Sequence, residues 1–189
     1  FYINHTYQIS EKKSIVAGIR TESTFSDYTF ENNILSQKVQ DKQNYTNLLF
    51  NAGYYWNNEK TYQSIAIRKQ ISRPNYSYIN PFRSLNEDIT QSTGDQDIKP
   101  AQQYSLNYEL MVNKFIFSLT GSYISNFISS FMEEENGTIL STYKNFDHVY
   151  FLNTGIEYNN HLLNGKWNIR PTLYLTLPKL VDDTYDIKK

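Results

Sequence analysis

Apolar and polar residues alternate one by one along most of this chain, and a helical spacing is never sustained. Successive side chains of a β-strand point to opposite faces, so the alternation predicts strands with one apolar and one polar face. About eight strands are predicted: Phe1 to Ile9, Ser14 to Thr24, Asn44 to Trp56, Thr61 to Arg73, Tyr104 to Leu110, Phe115 to Phe127, Tyr150 to Tyr158 and Trp167 to Leu177. The pattern favours an all-β fold, an antiparallel up-and-down meander.

The predicted connections alternate between short and long. The short ones carry turn-forming residues and are Ser10 to Lys13, Asn57 to Lys60, Val112 to Lys114 and Asn159 to Gly165. The long ones are polar and run Phe25 to Gln43, Pro74 to Gln103 and Met132 to Asn145, with a fourth beginning at Pro178. Loops of roughly 15 to 30 residues are uncommon in compact soluble domains. Short turns at one end and long loops at the other are typical of an outer-membrane barrel.

Strand length and aromatic residues favour the same interpretation. Several predicted strands can exceed the usual soluble length and match the roughly 9 to 11 residues that cross a bilayer. Aromatic residues crowd the short-turn end, as an interfacial girdle would: Tyr54, Tyr55, Trp56, Tyr62, Tyr158 and Trp167. Alternation alone does not exclude a soluble β-sandwich, because a half-buried sandwich strand alternates equally well.

Charge and composition remove several classes of function. The 189 residues carry 18 Lys and Arg against 19 Asp and Glu, so no basic field attracts nucleic acid. The absence of cysteine excludes disulfides and thiol catalysis. The mean hydropathy of −0.61 argues against a membrane-spanning helix but not against barrel strands, which show lipid only every second residue.

No signature of an enzyme, a cofactor site or a metal site is found. The seven glycines form no dinucleotide-binding, phosphate-loop or nucleophile-elbow motif. The three histidines, His5, His148 and His161, lack metal-ligand spacing. Asp95, Asp97 and the run Glu133 to Glu135 are read as solvated loop charges rather than a cation site. We therefore expect a protein that is not an enzyme and has no cofactor.

One stretch carries a family resemblance. It runs from Ile71-Ser72-Arg73-Pro74-Asn75-Tyr76 through Asn80-Pro81 to Gly94-Asp95-Gln96-Asp97-Ile98-Lys99-Pro100, and a strand follows. It resembles the barrel of TonB-dependent outer-membrane receptors of the Bacteroidetes type, although Asp95, Gln96 and Ile98 depart from the usual Asn, Pro and Leu. The segments Ala17 to Glu22 and Asn153 to Tyr158 resemble further strands of that barrel, so the resemblance covers nearly the whole chain.

The resemblance implies partners and a location beyond this chain. Receptors of this class are 22-stranded barrels of the Gram-negative outer membrane, whose lumen is filled by a plug domain. They take up extracellular nutrients using an inner-membrane energising complex. We therefore expect residues 1–189 to be part of a lipid-embedded barrel that continues beyond both ends, with no plug domain and no signal peptide in this chain.

Two groups of residues are candidates for function. Charged residues on the polar faces of predicted strands would line the lumen, mainly as structural ion pairs: Arg20, Glu22, Arg68, Glu109, Glu157 and Arg170. The longest loop offers aromatic rings and amides suited to a polar extracellular ligand, although packing of the loop itself is the favoured role: Asn75, Tyr76, Tyr78, Asn80 and Phe82.

Two other classes of protein stay open. One is a free-standing eight-stranded outer-membrane pore or adhesin, which the even strand number permits. The other is a soluble β-sandwich that binds carbohydrate through the tyrosine-rich loop. The exposed aromatic residues of a barrel fragment would make it aggregate in water, whereas the sandwich would stay soluble.

Overall fold

A computed structural model describes residues 1–32, 36–87, 90–163, 166–183 and 187–188 of the chain. Eight long strands form one sheet: β1 (Tyr2–Ser10), β2 (Lys13–Asn32), β3 (Gln37–Asn58), β4 (Thr61–Ser72), β7 (Ala101–Val112), β8 (Phe115–Glu135), β9 (Thr138–Tyr158) and β12 (Thr172–Asp182). The short elements are α1 (Tyr76–Ile79), β5 (Ser84–Glu87), β6 (Thr90–Ser92), β10 (Asn160–Leu162), β11 (Trp167–Ile169) and β13 (Ile187–Lys188).

The long strands follow one another in the sheet as they do in the sequence. Each is antiparallel to its neighbour, in the order β1-β2-β3-β4-β7-β8-β9-β12. The register between β2 and β3 is unbroken from the pair Lys13 and Trp56 to the pair Asn32 and Gln37. Within the described residues β1 and β12 do not pair with each other, so the sheet is an open part of a wall. This arrangement is the predicted antiparallel meander.

The sheet leaves its apolar face exposed and partly shields its polar face. On β8, Leu119 is 44% exposed, whereas Ser122 on the opposite face is only 8% exposed. On β12, Leu173 and Leu175 are also exposed. A water-soluble protein does the reverse, because burial of apolar surface drives its folding. Apolar residues outside and polar residues inside are the arrangement of a barrel wall between lipid and an aqueous lumen.

The apolar face forms a band of limited height. One level row across the sheet contains Ile15, Tyr54, Ile65, Tyr108 and Leu119, each opposite the next. On β9 the apolar-face positions run from Tyr150 to Tyr158, about 26 Å along the strand at 3.3 Å per residue. With the tilt of a barrel strand this becomes about 20 Å, close to the apolar band of an outer-membrane barrel.

Three of the predicted long loops are wrong. Residues Phe25 to Asn32 and Gln37 to Gln43 extend β2 and β3, and Met132 to Glu135 and Thr138 to Asn145 extend β8 and β9. The fourth loop does not begin at Pro178, because β12 continues to Asp182. Above the apolar band the outward face of the β2–β3 hairpin is mainly polar, while Tyr28 and Phe30 on its inner face pack against the connection between β4 and β7. The pattern of apolar residues outward and polar residues inward therefore ends there. Positions 33–35, 88–89 and 164–165 of the predicted connections lie outside the described residues.

Two further predictions need correction at the short-turn end. Trp167 does not open the eighth strand, because β11 pairs with β10 in a separate two-stranded sheet and β12 begins at Thr172. The expected girdle is also split between faces. Tyr54 and Trp56 lie on the apolar face, whereas Tyr55 pairs across the sheet with Ser64 on the polar face. A cluster of aromatic residues in the sequence therefore does not by itself form a girdle.

Only one helix, α1, is present in the described chain, and it has four residues. No helix within these ranges has the length and apolar character needed to cross a membrane.

The exposed apolar face predicts that arginine substitutions at two adjacent residues, one on each face, differ in their effect on the free energy of unfolding. Leu119→Arg places a charge in the middle of the band and should lower the free energy of unfolding in lipid vesicles by about 2–4 kcal/mol. Ser118→Arg is the matched control, since Ser118 lies on the polar face opposite Glu109. Denaturant titration of the vesicle-embedded protein measures both. An equal loss for the two variants would contradict the proposed orientation of the sheet.

Candidate functional site

The connection between β4 and β7 folds into a cap, defined here as residues 73–87 and 90–100, over the long-loop end of the sheet. Its helix α1 begins after Asn75, whose side-chain oxygen accepts a hydrogen bond from the Ser77 amide at 3.4 Å. The helix ends at Asn80, whose own amide donates to the Tyr76 carbonyl at 3.1 Å. The Asn80 side-chain oxygen accepts a hydrogen bond from the Phe82 amide at 3.1 Å, so at both ends an asparagine side chain pairs with a backbone amide.

Gly94 lets the two halves of the cap touch. Its amide donates to the Asn80 carbonyl at 2.6 Å, and the next amide, of Asp95, donates to the Tyr78 carbonyl at 2.7 Å. A Cβ atom at Gly94 would lie 2.6 Å from the Asn80 nitrogen and the Tyr78 oxygen. Because both obstacles are backbone atoms, no side chain fits here without moving the cap.

An apolar cluster holds the cap down on the sheet. Ile79 of α1, Ile98 of the cap and Phe30 of β2 are buried against one another. Tyr78 stacks on Tyr143 of β9 with ring centroids 4.0 Å apart. These contacts join α1 to both long hairpins, β2–β3 and β8–β9, and so fix the cap relative to the sheet.

Hydrogen bonds fasten the edges of the cap. The Asn145 side chain accepts from the Lys99 amide at 2.7 Å and donates to the Lys99 and Asn126 carbonyls at 2.9 Å each. Arg73 donates to a carboxylate oxygen of Glu22 at 2.6 Å and to the Thr24 hydroxyl at 3.2 Å. The hydrogen bond with Glu22 raises the pKa of the Arg73 guanidinium. The cap is thus a packed element rather than a free loop.

The five predicted ligand-contact residues all take part in this packing. Asn75 and Asn80 bound the helix, Tyr78 stacks on Tyr143, and Phe82 packs against the apolar cluster. The Tyr76 ring packs at a tilt against Phe30, with ring centroids 5.1 Å apart, but Tyr76 is still 51% exposed. These roles agree with the packing function favoured for the loop, and direct contact with a ligand stays a prediction.

A polar cavity of about 530 Å³, which no sequence pattern predicted, lies between the cap and β3. Its lining includes residues 41–47 of β3, residues 96–100 of the cap, Gln102 and Asn126. The Oδ2 atom of Asp41 is buried and has no hydrogen-bond partner among the described residues. Amides, a carboxylate and the Tyr45 hydroxyl together suit a ligand with several hydroxyl or amide groups.

Five of the six predicted lumen charges lie on the polar faces of long strands, and four of the six are in ion pairs. Arg170 instead lies between β11 and β12, so its predicted place on the eighth strand was wrong. Arg20 and Arg73 both contact Glu22, at 2.8 and 2.6 Å. Arg170 contacts Glu157 at 2.6 Å. Exposed pairs of this kind contribute little to stability, but they neutralise the face.

The other two predicted lumen charges have no ionic partner in the described chain. Arg68 lies opposite Asn51 and Ser105, and Glu109 lies opposite Ser64 and Ser118. Both side chains are exposed on the polar face.

The histidines and the acidic loop residues do not come together. His148 packs beside Tyr123 and Tyr150, at 5.7 and 5.3 Å between ring centroids. Asp95 accepts a hydrogen bond from the Asp97 amide, as in an ordinary turn. The described residues contain no group of three or more metal-ligating side chains.

The comparison with protein families decides the identity of the fold. The family described as "Outer membrane protein beta-barrel family" matches residues 1–186. The chain belongs to this family. Membership places it in the outer membrane of a Gram-negative bacterium and confirms the predicted all-β transmembrane barrel fold. It also shows that the soluble β-sandwich interpretation was wrong.

Solved structures place the chain within larger barrels of this kind. The copper transporter OprC aligns with a TM-score of 0.71 at 16% identity, over 96% of this chain and 29% of that chain. The siderophore receptor PirA from Pseudomonas aeruginosa aligns with a TM-score of 0.63 at 10% identity, over 93% of this chain and 33% of that chain. No curated protein sequence matches. The chain thus has the fold of about a third of these receptors, as its sequence resemblance implied.

The close approach at Gly94 predicts a strong effect of one added methyl group. Gly94→Ala should loosen the cap and cost about 1–3 kcal/mol of local stability, because the obstacles are backbone atoms. Hydrogen exchange of the cap amides in the membrane-embedded full-length protein measures this loss of local stability. Gly121→Ala is the control, since a Cβ atom there meets nothing within 4 Å. Unchanged protection of the cap in Gly94→Ala would contradict the packing described.

Proposed function

We propose that this chain is a segment of the barrel wall of an uptake receptor, of the TonB-dependent type found in Bacteroidetes, and that it has no catalytic role. The observation that carries the proposal is a sheet with an exposed apolar face and a partly shielded polar face, covered at its long-loop end by a packed cap. A wall of this design separates lipid from an aqueous passage and presents a shaped polar surface to the outside. The names of the two similar structures, a copper transporter and a siderophore receptor, are in keeping with uptake.

In the whole receptor the wall would stay fixed while a plug domain moves. Arg68 and Glu109 support this role, because each exposes a charge on the polar face without an ionic partner in the described chain. Charges on a barrel wall next to a plug gain from opposite charges on that plug. The ion pairs of Glu22 and Glu157 would neutralise part of the polar face beside the passage.

The ligand would first be held in the polar cavity beneath the cap. Asp41 offers a buried oxygen that lacks a donor, and the surrounding amides and Tyr45 offer both donors and acceptors. This set of groups suits a polar organic molecule, such as an oligosaccharide or an organic metal chelate. The aromatic face of Tyr76, half exposed on the cap, adds a stacking surface nearby.

Energised uptake distinguishes this function from a passive pore. Cells that carry the full-length protein should accumulate a member of a panel of radiolabelled ferric siderophores and oligosaccharides. A protonophore should abolish the accumulation, because transport through a plugged receptor needs inner-membrane energy. The control is the same strain without the protein. Entry that depends only on solute size and persists with the protonophore would identify a free-standing pore and refute the proposal.

The cavity predicts a specific effect of one carboxylate. Asp41→Asn should weaken binding of the transported panel compound by about 10-fold or more, because hydrogen bonds to a charged group contribute about 1.5–3 kcal/mol. Glu31→Gln is the matched control, since Glu31 forms an exposed ion pair with Lys38 at 2.9 Å and neither residue lines the cavity. Titration of the purified full-length protein measures both. Equal affinities of the two variants would place the ligand elsewhere.

A further inference from the structure

Within the apolar band of the described strands, the charged residues of the apolar face are lysines, and none is acidic. Its charged members are Lys13, Lys69 and Lys179. Lys13 lies at the short-turn end, with its Nζ atom 5.9 Å from the Trp56 ring. Lys69 and Lys179 are both at the long-loop end, which faces the outside of the cell. An ammonium group on a lipid-facing surface is costly except at the headgroup level, so these positions mark the edges of the band.

A row of tyrosines joins the two outer lysines. Across five neighbouring strands the register partners are, in order, Lys69, Tyr104, Tyr123, Tyr150 and Lys179. The row covers four strand spacings, about 19 Å. The two ammonium groups can approach more closely than that, because Lys69 Nζ already leans to 5.2 Å from the Tyr104 ring. The row thus presents two cations with hydroxyl groups between them.

A depression in the apolar face lies next to this row on the side of the membrane centre. Its volume is about 500 Å³, and its lining is almost entirely apolar. The cause is Gly121, because the corresponding positions on neighbouring strands are Leu106 and Leu152, while a Cβ atom at Gly121 would meet nothing within 4 Å. Tyr123 and Lys179 border the depression on its outer side.

We propose that this surface binds one particular occupant, a lipid with several acyl chains and two phosphates on its headgroup. Acyl chains fill the depression at Gly121, and the phosphates contact Lys69 and Lys179. Lysine binds phosphate as a point charge, and tyrosine hydroxyls donate to the remaining oxygens. The spacing of the two lysines selects a headgroup wide enough to carry two phosphates. The site depends on the membrane orientation of the sheet and not on the proposed uptake.

Charge argues against a second copy of this chain as the occupant. Two copies related by a two-fold axis would present the same face to each other. Such an interface would bring lysines against lysines with no acidic residue of the band to pair with them. A lipid phosphate supplies the missing negative charge, and only an acylated molecule reaches the adjoining depression, which lies within the apolar band.

Lipid binding to the purified full-length protein tests the site. Delipidated protein in detergent is titrated with a bisphosphorylated, multiply acylated disaccharide lipid, and native mass spectrometry gives the apparent Kd. The double variant Lys69→Gln, Lys179→Gln should bind about 30-fold more weakly, which corresponds to about 1 kcal/mol for each lysine. Gly121→Phe should also weaken binding, because its ring fills the depression.

Three controls make the outcome decisive. Lys13→Gln removes a lysine from the opposite end of the band and should leave the Kd unchanged. The variant Lys69→Arg, Lys179→Arg should keep binding, which separates charge from folding if a glutamine variant is unstable. The same lipid without phosphates should bind the wild-type protein as weakly as the intact lipid binds the double glutamine variant.

Several results would overturn the proposal. These are equal affinities of the double glutamine variant and Lys13→Gln, or equal affinities for the lipid with and without phosphates. Equally tight binding of phosphatidylglycerol would show a general attraction of anionic lipid instead of a site for two phosphates. Lipid-free dimers that the same substitutions dissociate would assign the surface to a second copy of the chain.

Discussion

Hydrocarbon offers no hydrogen bonds to a peptide group, and this constraint governs the whole sheet. Every amide and carbonyl in the apolar band must pair with a neighbouring strand, since an unpaired group would cost several kcal/mol. The unbroken register of β2 with β3, and of β7 with β8, meets that requirement. Because pairing is compulsory, side-chain alternation is compulsory too, and a shift by one residue would turn every polar side chain toward lipid. The exposed Phe117 and Leu119 of β8, and its buried Ser122, follow from this.

The same constraint explains which parts of the fold the sequence predicts. Inside the band each face has one environment, so alternation reveals all eight long strands. Outside the band, the two faces of the β2–β3 hairpin contact water or the cap. Charged residues such as Asp27 and Lys42 therefore fit these positions as well as apolar residues do. The backbone ladder continues there because its hydrogen bonds do not depend on the side chains. Pattern alone therefore ends the strands of the two long hairpins, β2–β3 and β8–β9, where the lipid ends, several residues before the structure does.

The candidate site could be located from the sequence only in part. The resemblance pointed to the segment from Arg73 to Pro100, and this segment is the cap. What its residues do depends on contacts between distant parts of the chain. Gly94 is required because the Asn80 and Tyr78 backbones approach it, and Lys99 is held by Asn145 of another hairpin. Asp41 belongs to a stretch that was predicted to be a loop, so neither its burial nor its place in the cavity was visible.

The level of a residue in the membrane is likewise a property of register and not of sequence. Tyr54, Tyr55 and Trp56 are consecutive, yet the pleat sends the middle one to the polar face. Tyr104, Tyr123 and Tyr150 are far apart in the chain, yet they form one level row because each strand is paired with the next. A row of this kind arises when residues on separate strands face the same depth of the bilayer. The two faces of the sheet therefore meet different environments. Lipid determines which residues occupy each row of the outer face, whereas contacts with the cap determine the residues of the inner face.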